Sequence, residues 1–117
     1  MSSNGSWYRE PMLRAPSALS PTRLRAIEAV RSIVLGLLGG LDAEVWLFGS
    51  CARGDVWHSS DIDVAIEPNE SLPPDFFGRL REALESSTVP YRVEVVDLRA
   101  AAPSLREAVA SEGIRWR

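Results

Sequence analysis

The chain has 117 residues, of which 45% are hydrophobic and 25% charged, so it can form one small globular domain and wholesale disorder is excluded. The net charge of -3 argues against a dedicated nucleic-acid binder, and no direct contact with nucleic acid is expected. All 13 basic residues are arginine, which excludes any mechanism that needs a catalytic lysine.

Cysteine content and hydropathy exclude further classes of protein. Cys51 is the single cysteine, which excludes an internal disulfide and a cysteine-rich zinc site. The N-terminus lacks the apolar segment of a secretory signal, and no apolar run approaches the length of a membrane span. These features predict a cytoplasmic protein without a membrane partner.

The N-terminal part of the chain predicts an arm followed by a helix. Residues 1–19 show no sustained periodicity, so we expect a flexible N-terminal arm, with the folded domain over residues 20–117. Ser20 and Pro21 are typical of a helix start, because serine caps the first turn and proline suits its first position. Apolar residues then recur at helical spacing until a glycine pair at 39–40 ends the pattern.

Short apolar runs and helical patterns alternate through the rest of the chain. The first predicted strand, over 43–48, is apolar on both faces, which indicates cover on both sides. The elements after it are predicted in this order: a helical turn or loop over 51–56, a strand over 60–67, a helix after 73–75, a strand over 91–98, a helix over 103–113 and a short last strand over 114–116.

Two aspartates in the second predicted strand form a candidate metal site. Asp61 and Asp63 are two residues apart and therefore share one face of the strand, while Ile62 and Val64 share the other. Like charges this close repel each other, and a bound cation or a shared proton is the usual remedy.

A Gly49-Ser50 turn directly follows the first predicted strand. Its backbone N–H groups favour an anion, and glycine allows a phosphate to approach the backbone closely. If the anion is a nucleoside triphosphate, the Ser50 N–H and hydroxyl would donate to its β- or γ-phosphate. A metal site next to a phosphate site is the chemistry of a bound nucleotide.

These motifs resemble a known family. Gly49-Ser50, ten intervening residues and the Asp-Ile-Asp string at 61–63 resemble the signature of the DNA polymerase β-like nucleotidyltransferase superfamily. In so short a chain they look like its minimal nucleotidyltransferases (MNT), the antitoxins of HEPN/MNT toxin–antitoxin pairs. The resemblance covers roughly residue 20 to the C-terminus. It implies an α/β fold with a small mixed β-sheet and helices on one face.

The superfamily has a third carboxylate on a neighbouring strand, usually an aspartate, and the matching position here is Glu94. Val93 and Val95 take the core face of that predicted strand and leave Glu94 opposite. Glutamate is longer by one methylene, so we expect looser geometry at a metal, with more effect on rate than on fold. Asp97 is the competing candidate, but it lies on the other face from Glu94 and nearer the strand end.

The resemblance implies transfer of AMP from ATP to a tyrosine hydroxyl of a HEPN-domain toxin, which neutralises that toxin. Asp61, Asp63 and Glu94 would be catalytic and would bind Mg²⁺, and nucleotidyl transfer commonly uses two ions about 3.5–4 Å apart. The partner would be the toxin itself, in a hetero-oligomer.

The nucleotide would be bound by Gly49, Ser50 and Arg53. For Arg53, however, a plain surface position at a helix start is an equal alternative. His58, the only histidine, is better interpreted as a loop residue than as a ligand or base. Cys51 is better interpreted as a small packing residue than as a nucleophile.

Two other functions stay open at this point. The chain could be an antitoxin with a weak or inactive site, marked by Glu94, that neutralises its partner by binding alone. It could also be a stand-alone nucleotidyltransferase acting on a small molecule or an RNA end.

Overall fold

The computed structural model describes residues 19–54 and 61–117. Its elements, in chain order, are α1 (Pro21–Leu38), β1 (Ala43–Phe48), α2 (Ser50–Arg53), β2 (Ile62–Pro68), α3 (Phe76–Glu85), β3 (Val93–Asp97), a 3-10 turn (Leu98–Ala100), α4 (Pro103–Glu112) and β4 (Ile114–Arg115). The predicted arm stays a prediction, because residues 1–18 lie outside the described part. Among the helices described, none has the length and apolar character that crossing a membrane requires.

The first helix begins and ends at the residues that its sequence indicates. The Ser20 hydroxyl accepts a hydrogen bond from the backbone N–H of Arg23 at 3.0 Å, which satisfies a donor that the helix itself leaves unpaired. Gly39 ends the helix with a φ of 54°, and its N–H donates to the Leu35 carbonyl at 3.0 Å. A positive φ suits glycine because it has no Cβ to clash.

The four strands form one mixed sheet in the order β3-β2-β1-β4. β1 runs antiparallel to both β2 and β4, whereas β2 and β3 are parallel. The parallel pair requires a crossover connection, and α3 lies within it. The predicted mixed α/β fold is therefore confirmed.

The main core lies between one face of the sheet and the helices α1 and α3. The sheet contributes the alternate residues of β1 and β2, such as Val45 and Val64, and both are fully buried. The helices contribute their apolar stripes, which include Val34 of α1 and Leu80 of α3. This burial follows the periodicities of two and of about 3.6 residues that the sequence shows.

A smaller apolar cluster lies on the opposite face of the sheet. Ala65 of β2 and Val109 of α4 are buried there, and Trp46 packs against them. The helix α4 therefore covers part of the sheet face opposite to the one on which α1 and α3 pack. The apolar residues on both faces of β1 agree with this second contact. The face is left uncovered toward Asp63, which is only partly buried.

The third strand is shorter than the sequence predicts. It spans Val93–Asp97 and gives way to the 3-10 turn at Leu98. The Asp97 carboxylate accepts a hydrogen bond from the backbone N–H of Arg99 at 3.0 Å and so caps the turn. A side-chain cap competes with strand pairing, and here it ends the strand.

Candidate active site

Three acidic residues share one face at the same end of neighbouring strands. Asp63 of β2 pairs with Phe48 of β1 on one side and with Glu94 of β3 on the other. Asp61 lies two residues before Asp63, just ahead of β2. Strand alternation therefore gives Asp61, Asp63 and Glu94 the same side of the sheet, away from the main core.

Burial and mutual repulsion act on the Asp63 carboxylate. Burial raises the pKa of Asp63 above its ordinary value, the negative charges of Asp61 and Glu94 raise it further, and the positive charge of Arg53 opposes them. A carboxylate in this environment gains from a nearby cation more than an exposed one does.

The Gly49 turn lies directly against Asp63. Gly49 has a φ of 74° and a ψ of -156°, a region that is essentially restricted to glycine. A Cβ on this residue would overlap Oδ2 of Asp63 and would lie 3.3 Å from its Cγ. The sequence suggests that glycine is needed for phosphate approach, whereas the structure adds a second reason in the neighbouring carboxylate.

The short helix α2 starts at this turn. The Gly49 carbonyl accepts hydrogen bonds from the N–H groups of Ala52 and Arg53, both at 3.1 Å. Ser50 is the first residue of α2 and is partly exposed. The turn thus presents Ser50 beside the acidic residues, at the carboxyl end of β1.

An arginine bridges two of the three acids. Arg92 contacts Oε2 of Glu94 through Nη2 at 2.7 Å and through Nε at 2.9 Å. Its Nε also lies 4.0 Å from Oδ2 of Asp61. Within residues 19–54 and 61–117, no three Asp, Glu, His or Cys side chains are arranged to hold a metal ion. The pairing of Glu94 with Arg92 is a physical reason for this, because it turns Glu94 toward a cation that the protein itself supplies.

The chemistry of the three acids nevertheless suits magnesium. Asp61, Asp63 and Glu94 offer only oxygen ligands, which hard divalent cations prefer. Asp61 and Glu94 have side chains that are 39% and 43% exposed, so both can be reached from solvent. Arg92 engages Oε2 of Glu94, so a metal would compete with Arg92 for this oxygen.

The competing acid, Asp97, lies outside this group. It pairs with Arg99 at 2.8 Å, and the hydrogen bond from Arg99 lowers the pKa of Asp97 below its ordinary value. Its position on β3 differs by three residues from that of Glu94, which gives it the opposite face. The structure therefore favours Glu94 over Asp97 as the third acid.

Arg53, the predicted nucleotide ligand, contacts α4. Its Nη1 lies 3.3 Å from Oε1 of Glu112, and both side chains are about half exposed. Its charge also acts on Asp63, so it lies near the acidic group as well. His58 lies outside the described residues, and its predicted loop position stays a prediction.

Cys51 is buried beneath the site, as a packing residue is expected to be. Its Sγ donates to the backbone carbonyl of Asp61 at 3.6 Å and so ties α2 to the segment before β2. Burial raises the pKa of the Cys51 thiol, and the nearby positive charge of Arg23 partly opposes this effect. A thiol held protonated is a poor nucleophile.

Arg23 is a contributor that the sequence reasoning missed. It is only 2% exposed, and its guanidinium lies 3.7 Å from the ring centroid of Tyr91. Its positive charge also acts on Cys51, the second residue of α2. Its spacing could have revealed it, because Arg23 lies four and seven residues before Ile27 and Val30 on the buried face of α1.

Comparison with known families extends these observations. The family model described as "Polymerase beta, Nucleotidyltransferase" matches residues 43–115. Over 70 residues the chain is 39% identical to "Probable protein adenylyltransferase MntA" of Haemophilus influenzae, in an alignment that covers 58% of this chain and 60% of that protein. The chain thus spans less than two thirds of the length of this relative.

Solved structures give a consistent result. A structure assigned as a minimal nucleotidyltransferase is 38% identical, with a TM-score of 0.62, and the match covers 78% of this chain and 93% of that one. A crystal structure of a toxin–antitoxin complex with AMP-PNP contains a chain that is 29% identical, with a TM-score of 0.58. That match covers 73% of this chain and 70% of the other.

Proposed function

Because this chain belongs to the polymerase β nucleotidyltransferase family, we propose that it is a Mg²⁺-dependent antitoxin that transfers AMP from ATP to a tyrosine hydroxyl of a HEPN-domain toxin. The observation that carries the proposal is the contact between the Gly49 turn and Asp63, with Asp61 and Glu94 on the same face. Support comes from the similarity to an MntA adenylyltransferase and to a toxin–antitoxin complex with AMP-PNP.

In this proposal the Gly49 turn receives the triphosphate. The absence of a Cβ at Gly49 lets the turn lie directly against Asp63, and the Ser50 N–H and hydroxyl donate to phosphate oxygens. Arg53 lies close enough to influence Asp63 and adds positive charge on the same side. These three residues bind and orient the nucleotide.

The acidic residues hold the metal and receive the attacking hydroxyl. Asp61, Asp63 and Glu94 supply the oxygen ligands, and bound Mg²⁺ would stabilise the negative charge that develops during transfer. The tyrosine hydroxyl gives its proton to a carboxylate of the acidic group, its oxygen attacks the α-phosphorus of ATP, the bond from that phosphorus to the bridging oxygen breaks, and pyrophosphate leaves. Glu94 lies on β3, which is an edge strand of the sheet, so the acceptor reaches it without crossing the sheet.

The test uses the chain together with a HEPN-domain protein supplied as the candidate partner. With labelled ATP and Mg²⁺, the wild-type chain should label the partner on tyrosine, and mass spectrometry should find AMP there. Asp63→Asn should reduce labelling to the level without enzyme, because it removes one ligand from the centre of the site. Asp97→Asn is the matched control, since this aspartate lies on β3 outside the acidic group.

Two results would contradict the proposal. Labelling by Asp63→Asn at the wild-type rate would mean that the site is elsewhere. Labelling of nucleotide, small-molecule or RNA acceptors without any protein partner would indicate a stand-alone transferase.

A second candidate function is neutralisation by binding alone. The pairing of Glu94 with Arg92 favours it, because one of the three acids is engaged by an arginine. Glu94→Asp separates the two functions. An active transferase should keep or gain rate with the shorter acid, whereas a binding antitoxin should neutralise its partner equally with either residue.

A further inference from the structure

Arg92 occupies a distinctive place on the acidic face. It comes two residues before Glu94 and directly before β3, so alternation puts both side chains on one side. The parallel register pairs Ile62 with Val93, and this places Arg92 beside Asp61. Arg92, Glu94, Asp61 and Asp63 thus form two facing pairs, with one positive charge among three carboxylates.

The backbone of Arg92 is anchored, whereas most of its side chain is exposed. The Arg92 carbonyl accepts a hydrogen bond from the Ile62 N–H at 2.9 Å, which anchors the residue to β2. The side chain itself is 74% exposed and touches the two acids from the solvent side. An exposed ion pair is weak, so it can be exchanged for a stronger ligand at little cost.

We propose that Arg92 is an internal counter-ion that competes with a divalent cation for Asp61 and Glu94, and that it leaves them when metal binds. This inference rests on the proposed metal site. A guanidinium cannot lose its charge at physiological pH, so it neutralises the acids until it is displaced. Displacement frees Oε2 of Glu94 on the face that this residue already shares with Asp61 and Asp63, so that all three acids can offer both of their oxygens to the metal.

This role makes Arg92 a positioning residue. It acts through Glu94 and Asp61, and it lowers the affinity of the nucleotide-free site for divalent metal. Removing its charge should therefore tighten metal binding, which is the opposite of what the loss of a ligand or of structure would do. The expected change is roughly two- to fivefold, the range that one exposed ion pair contributes.

The test measures Mn²⁺ binding to the full chain without nucleotide, by the electron paramagnetic resonance signal of free Mn²⁺. Arg92→Gln should bind Mn²⁺ roughly two- to fivefold more tightly than wild type. Arg92→Lys, which keeps the positive charge, should stay close to wild type. Arg99→Gln is the matched control, because Arg99 also pairs with a β3 acid two residues away, namely Asp97, outside the site.

Three outcomes would overturn the inference. Arg92→Gln could bind Mn²⁺ no more tightly than wild type, or Arg99→Gln could tighten binding equally, which would indicate a general charge effect. A failure of both wild type and Arg92→Gln to bind Mn²⁺ at millimolar concentrations would remove the proposed metal site together with the inference. If wild type binds Mn²⁺ and labels its partner while Arg92→Gln shows no gain, the inference alone fails and the proposed function stands.

Discussion

Gly49 shows how one missing side chain defines the site. Its φ of 74° and the neighbouring Asp63 carboxylate both exclude a Cβ. We expect Gly49→Ala to lower the free energy of unfolding by about 1–3 kcal/mol, because alanine is strained in this backbone conformation. It should also weaken ATP binding, because the methyl group would push Asp63 away from the turn.

The control for this substitution is another glycine of the same chain. Gly78 lies within α3, and a Cβ there would have no neighbour within 4 Å. Gly78→Ala should leave ATP binding unchanged and raise stability by about 0.5–1 kcal/mol, since alanine is the better helix former. Urea denaturation and calorimetric titration with ATP would measure both effects, and equal stability for Gly49→Ala and wild type would contradict the strain argument.

At the scale of single residues, alternation within predicted strands was the most informative signal. It placed Asp61 and Asp63 on one face and gave Glu94 the face opposite to Val95, and the structure agrees at each position. Alternation also puts Arg92 on the side of Glu94, but it could not reveal that the same guanidinium approaches Asp61 on the neighbouring strand, because that contact depends on the register of the two strands. Register is set by tertiary pairing, and the sequence of one strand does not contain it.

At the scale of elements, Arg23 connects α1 to the turn that carries Ser50. It is buried between Tyr91 and Cys51, so it supports both the segment before β3 and the start of α2. We expect Arg23→Ala to lower the free energy of unfolding by about 2–3 kcal/mol, through the loss of packing and of the contact with the ring.

The same helix provides the matched control for Arg23. Arg25 is exposed and contacts only its near neighbour Thr22, at 3.5 Å, among the bonds described for it. Arg25→Ala should change stability by no more than about 0.5 kcal/mol. Guanidinium denaturation of both variants gives the comparison, and equal stability of the two would mean that Arg23 is not a structural link.

Element limits were predictable where local chemistry sets them. The helix α1 begins after Ser20 and ends at Gly39, as the sequence indicates. The helix α4 begins at Pro103 and ends before Gly113, also as the sequence indicates. The predicted boundary was wrong at the end of the third strand, because the side chain of Asp97 caps a 3-10 turn there. The side of the sheet that α4 covers was also not predictable, since its apolar residues fit either face.

At the scale of the whole molecule, the acidic site opposes stability. The pKa of Asp63 is raised in the folded chain by burial and by Asp61 and Glu94. At Asp63 the native state therefore keeps its proton to a higher pH than the unfolded state does, and the contribution of this residue to stability falls as the pH rises from about 4 through its native pKa. The ionised Asp63 then destabilises the fold at neutral pH, as is common for functional sites.

Asp63→Asn should consequently be more stable than wild type at pH 7. The gain should shrink as the pH falls toward 4, because the wild-type carboxyl becomes neutral there. Asp97 should behave oppositely. Its pKa is lowered by Arg99, so its stabilising effect is present at neutral pH and lost in acid. Urea midpoints of both asparagine variants at pH 7 and pH 4 would test this, and a destabilised Asp63→Asn at pH 7 would contradict it.

The strand order determines which part of the candidate site would be lost first on local unfolding. Gly49 directly follows β1, which pairs antiparallel with the strand of Asp63, whereas Glu94 is reached only through the long crossover over residues 69–92 and lies on an edge strand of the sheet. A longer connection carries a larger entropic cost of chain closure. Detachment of β3 would release the third acid and leave the glycine turn in contact with Asp63, so the proposed metal site would be lost before the proposed phosphate site.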